Sequence, residues 1–149
     1  MSQVLETTFE RRSIRARRTP CRSLDAAIRG LESALGGNGR PPRAHVLAAA
    51  RALAREFRAH MRVTESAHGP LDEMTALRGF SESVRALRNS HRDLCARIDA
   101  LSDVVAESGV VSEWLRSEAV ALAHLIRRHL AAEADLELAL LNTDVGIGD

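Results

Sequence analysis

From Leu115 to Leu140 apolar residues recur by sevens, yet two polar residues stand in places that this pattern reserves for leucine. Leu115, Leu122, His129 and Leu136 fall on one heptad line, and Ile126, Glu133 and Leu140 on its neighbour. An apolar stripe at this spacing is the side of a helix that packs against other helices. His129 and Glu133, one turn apart, are therefore directed into a core. Burying such groups costs on the order of several kcal/mol unless they are paired, protonated or bound to a metal.

Two other helices carry the same substitution. Over 43–67 the seam reads Val46, Leu53, His60 and Ala67, with Ala50, Phe57 and Thr64 beside it. Over 82–107 one line reads Val84, His91, Ile98 and Val105, the other Leu87, Leu94 and Leu101, and Cys95 follows His91 by one turn. A first helix over 23–36, with Ser23 as its N-cap, has the stripe Leu24, Ile28, Leu31 and Leu35. It carries no His or Cys, and Gly36-Gly37-Asn38-Gly39 followed by Pro41-Pro42 ends it. His68-Gly69-Pro70 breaks the second helix, 71–80 forms a short helical connector, and the last helix spans 111–141. Four amphipathic helices with short connections predict an all-α, antiparallel up-and-down four-helix bundle.

Composition agrees. Aromatic residues make up 3% of the 149 residues and hydrophobic ones 45%, so the core rests on Ala, Leu, Val and Ile. The formal net charge of +1 gives the chain as a whole no preference for polyanions, and a nucleic-acid partner is not expected. The charge is uneven, however. Residues 1–22 hold six Arg against Glu6 and Glu10, or +4; the remainder holds 15 Arg against 18 acids, or −3. Residues 1–22 lack helical periodicity and read as a mobile basic arm, dispensable for folding; 23–149 read as one bundle domain with a short polar tail. No apolar run approaches the roughly 18 residues of a membrane span, and the charged N-terminus has no apolar signal region. Cys21 and Cys95 show no metal-binding or disulfide spacing. The expectation is a cytoplasmic protein.

The three histidines can meet. His60 lies nine residues before Gly69 and His91 nine after Glu82, which places both about 13 Å from the same end of the bundle. His129 lies 20 residues after Gly109 and His91 18 before it, so all three reach nearly one height. Imidazoles clustered in an apolar core need partners, and a transition metal would satisfy them together. His with carboxylate and open positions suits iron better than zinc or manganese. Glu65-x-x-His68 sits beside the helix break and reads as a surface pair, and His124 as a rim residue.

These residues resemble the hemerythrin-like, or HHE cation-binding, proteins of bacteria, a short branch of them in particular. His129-Leu130-Ala131-Ala132-Glu133 is similar to the family's last His-x-x-x-Glu motif, His91 to its third-helix histidine, and His60 to its second-helix histidine. The similarity covers 22–149 and includes the ending Asp144-Val145-Gly146-Ile147-Gly148-Asp149. Two departures stand out: Ala26 or Ala27 occupies the place of the first-helix histidine, and Thr64 the place of a bridging carboxylate, with Glu65 on the flank. The resemblance implies a non-haem metal-binding bundle that senses or handles O2, NO or iron. Its cofactor is iron, mononuclear or in an incomplete di-iron site, held by His60, His91, His129 and Glu133, with Glu65 as an extra ligand. The partners are then a metal ion and a small diatomic ligand. No catalytic residue can be named. The alternative is a metal-free bundle acting as a protein-interaction module.

Overall fold

Each helix is set by an apolar repeat and stopped by a recognisable breaker. The computed structural model describes residues 22–145, with side chains through Asn142; residues 1–21 of the basic arm and the last four residues lie outside them. Five helices and no strand occur among the described residues: α1 (22–35), α2 (Arg43–Thr64), α3 (Pro70–Thr75), α4 (Ser81–Glu107) and α5 (Glu113–Val145). Residue 22 is already helical, so Ser23 lies inside α1 and does not cap it.

Gly37, at φ 101, turns the chain out of α1 into a conformation that residues with a Cβ avoid. At the other end of α2 the helix stops at Thr64, three residues short of the sequence expectation. Glu65 takes φ −97 and ψ 3, His68 takes φ 62, and Pro70 begins α3. Gly69 is required in this corner, because a Cβ there would meet Ser66 Oγ at 2.7 Å and Ser66 O at 2.8 Å. Ser112 Oγ accepts the Leu115 N–H at 3.1 Å, so the last helix opens with a hydroxyl cap and starts two residues later than read.

Cross-contacts fix the topology. Arg43 reaches Ala106 O, Arg58 pairs with Asp99, and Glu65 meets His91, so α2 and α4 run antiparallel. Arg116 donates to Gly37 O and Gly39 O while Arg127 pairs with Glu32, so α1 runs antiparallel to α5. The main core joins α1, α2, α4 and α5 through residues such as Ile28, Leu53, Phe57, Ile98, Leu115 and Ile126. A second, smaller core under α3 joins Leu71, Met74, Val84 and Leu87, with Phe80, Leu136 and Leu140 against it. No helix among the described residues is long and apolar enough to cross a membrane.

Candidate metal centre

Between the two cores lies a polar layer. His60 (α2), His91 (α4), His129 and Glu133 (both α5) are all buried. Each delivers one ligand-type atom, and these four atoms lie within 4.8 Å of one another. The heptad lines explain the convergence: each residue occupies the seam position of its helix, one or two turns from the buried leucines that hold that seam inward. Ring centroids are 4.5 Å apart for His91 and His129, 5.6 Å for His60 and His91, and 6.3 Å for His60 and His129.

The Glu133 carboxylate is the hub. Its Oε1 lies 2.8 Å from His91 Nε2 and 3.1 Å from His129 Nε2, and its Oε2 lies 2.8 Å from His60 Nε2. The His60 contact is at ion-pair distance without the alignment of a full hydrogen bond. Burial pushes the Glu133 carboxyl up, but hydrogen bonds from His129 and His91 together with the close His60 imidazole outweigh it and hold the group well below the usual carboxylate range.

A second ring of groups orients the imidazoles. His91 Nδ1 lies 2.6 Å from Glu65 Oε1, and His129 Nδ1 lies 2.8 Å from Ser90 Oγ. His91 thus faces a carboxylate oxygen with each ring nitrogen, and both contacts are hydrogen bonds only when both nitrogens carry protons. Phe57 closes the layer toward the main core, its ring centroid 6.0 Å from those of His60 and His91 and 6.2 Å from that of His129.

Of the five residues picked from the sequence as ligands, four meet. Glu65 stands behind His91, about a third exposed, and does not enter the cluster. It follows His60 by five residues, about 140° around the helix, and from this flank, where α2 stops at Thr64, its side chain reaches the outer nitrogen of His91. The nearby Ser66 and Gly69-Pro70 were the signal for this earlier stop. Thr64 spends its hydroxyl on its own helix, donating to His60 O and Met61 O at 3.1 and 3.2 Å. The buried positions of α1, namely Leu24, Ile28, Leu31 and Leu35, hold no donor. His124 and His68 are exposed, and Cys95 Sγ sits 3.2 Å from Met61 Sδ. Ser90 and the role of Phe57 escaped the sequence reading; neither stands out by type or spacing.

The donor set suits a transition-metal ion: three imidazoles and one carboxylate, with two of the imidazoles held through Nδ1 so that Nε2 faces the centre. The family model for the hemerythrin HHE cation binding domain matches residues 19–141. No curated protein and no solved structure matches the chain.

Proposed function

Because this chain belongs to the hemerythrin HHE cation-binding family, we propose that its histidine layer holds a single iron-class ion and serves to sense or handle O2, NO or iron. The observation that carries this reading is the convergence of His60, His91, His129 and Glu133 within 4.8 Å inside an otherwise apolar bundle. The ligands are the Nε2 atoms of the three histidines and the Glu133 carboxylate. Glu65 and Ser90 act one step back, fixing the rings of His91 and His129. An ion held there supplies affinity for a small diatomic molecule.

The chain's own residues define what that ion meets. α1 offers no ligand, and the Thr64 hydroxyl is already engaged, so a second ion lacks the groups that would hold it. The protons shared between the imidazoles and Glu133 must leave when an ion enters, so uptake releases protons and weakens as pH falls. Phe57 and the main core keep water from one side of the layer.

The test is elemental analysis of protein purified with iron available. The expected content is about one ion per chain, set by one buried group of four donors. Replacement His129→Leu should abolish it, whereas His124→Leu, on an exposed side chain, should leave it intact. Two ions per chain would show that further ligands exist. No metal, together with a more stable His129→Leu variant, would instead favour a metal-free interaction module.

A further inference from the structure

α5 outlasts the helix that covers it. The row of α5 that faces α1 is marked by Arg116, bonded to Gly37 and Gly39, and by Arg127, paired with Glu32. At about 100° per residue, Ala134, Leu138 and Leu141 lie within about 40° of this same row. All three are exposed, Leu138 by 58% and Leu141 by 51%. The described part of α1 ends at residue 22, so the stripe runs on beyond its cover. An apolar stripe in register with a covered one is a seam awaiting a partner.

Three observations name that partner. The first is position: α1 is antiparallel to α5, so the 21 residues preceding it join the chain at the corner where the stripe loses its cover. The second is reach: by the Glu32–Arg127 pairing the start of α1 lies level with about residue 137, so the bare stretch from Leu138 to Leu141 is about 5 Å long at about 1.5 Å per residue, well within the span of 21 residues, about 70 Å when extended. The third is chemistry. Beyond the buried Glu133, residues 134–149 contain four acids (Asp135, Glu137, Asp144 and Asp149) and no Arg, whereas residues 1–21 contain five Arg against two Glu. The same segment supplies Val4, Leu5, Phe9 and Ile14 to meet leucines.

We propose that residues 1–21 dock along this stripe of their own chain, apolar side chains on Leu138 and Leu141 and arginines toward Asp135 and Glu137. The segment then continues the α1 corner past the histidine layer, over the end of α5 that the described part of α1 leaves bare. This inference stands whether or not the layer holds a metal.

Limited trypsin digestion of the full chain tests it, with cleavage at Arg11 to Arg18 followed by mass spectrometry. In a Leu138→Ser/Leu141→Ser variant these sites should be cut about tenfold faster than in the parent, because cleavage tracks the undocked population. The parent's protection should not change on dilution. Equal rates in parent and variant would overturn the proposal, and protection that fades on dilution would overturn it in favour of a second copy as occupant. Should the double variant lose helicity by circular dichroism, Asp135→Arg, on an exposed side chain, serves instead. It should accelerate cleavage several-fold, and no acceleration would count against docking.

Discussion

The histidine layer is built on three of the four seams that form the main core, yet the two regions are held together in different ways. In the main core Leu53, Ile98, Leu115 and Ile126 each fill volume, and no pair depends on a particular atom of its neighbour. One turn further along, His60, His91 and His129 all depend on a single carboxylate, Glu133. The heptad decides which positions are inside. It does not decide whether an inside position is replaceable, because that depends on whether its contact is with a volume or with one specific atom. Substitutions in the main core should therefore act nearly independently, and substitutions in the layer should not.

The largest effect expected is that of Glu133→Ala in metal-free protein. It strands three buried imidazoles and should cost about 3–5 kcal/mol, the usual cost of removing one partner of a buried charged network. Ile98→Ala, in the main core, should cost about 2–5 kcal/mol through the cavity it leaves. The two differ in repair. Replacing His60, His91, His129 and Glu133 together by Leu should recover most of the Glu133 loss or exceed it, whereas nothing added beside Ile98→Ala restores its volume as simply. Urea unfolding of the single and combined variants measures this; a combined variant as unstable as Glu133→Ala would show that the layer is also a packing element.

Acid should separate the regions in the same way. Glu133 is held below its ordinary value of 4.5 by the three histidines, although burial opposes this. A depressed carboxyl contributes its stability in full above the ordinary value and loses it as pH falls through the lower, folded one. In metal-free protein the stability gap between the parent and Glu133→Ala should thus narrow as pH drops below about 4.5, while the cost of Ile98→Ala stays constant. A gap that widens on acidification would contradict the hydrogen-bonded carboxylate seen here.

The positions of the layer were readable from sequence because His60, His91, His129 and Glu133 interrupt long apolar repeats, and a repeat broken at one height on three helices predicts a meeting. The second ring was not readable. Glu65 reaches His91 from the flank of α2, and spacing along one helix does not say which atom of a neighbouring helix a flanking side chain meets. Ser90 is an ordinary serine on a helix; only the height of His129 on the neighbouring helix gives it a partner. The family resemblance anticipated the fold, whereas the absence of a histidine from α1 was legible only as a departure from the family's pattern, with Ala26 or Ala27 in its place. Residues 1–21 of the basic arm lie outside the described residues, and the reading of the arm as a mobile tail came from its charge and its lack of helical periodicity, which carry no information about the stripe on α5.

The second ring supplies the next effect in size. Glu65→Gln keeps shape but replaces the carboxylate behind His91 with an amide, and Ser90→Ala removes the partner of His129. Each should weaken metal binding roughly 10- to 100-fold, as is usual for groups that orient a ligand through its other nitrogen. Titration of metal-free protein with ferrous ion reads this directly. Glu65→Gln should act more strongly than Ser90→Ala, because a carboxylate also supplies charge. Loss of all binding in Glu65→Gln would instead make Glu65 a ligand in the loaded state and join the two rings into one.

The smallest effect belongs to the pair that fastens α1 to α5. Arg127 spans Glu32 with both terminal nitrogens, Nη2 to Oε2 at 2.9 Å, and the two side chains are 38% and 36% exposed. The Arg127 hydrogen bond holds the Glu32 carboxyl below its ordinary range, against a smaller opposing push from burial. Water screens a pair so exposed, so Glu32→Gln should cost only about 0.2–1 kcal/mol. That cost should shrink in high salt and, since the carboxyl is depressed, vanish as pH falls. Metal affinity should be unchanged, because α1 brings no ligand to the layer. Here the contrast between the two regions is at its sharpest: α1 is held by Leu24, Ile28, Leu31 and Leu35, residues of the main core, and the ion pair only sets its register. A loss above about 2 kcal/mol, or a change in metal affinity, would mean that the register of α1 reaches the histidine layer and that the two regions are not separable.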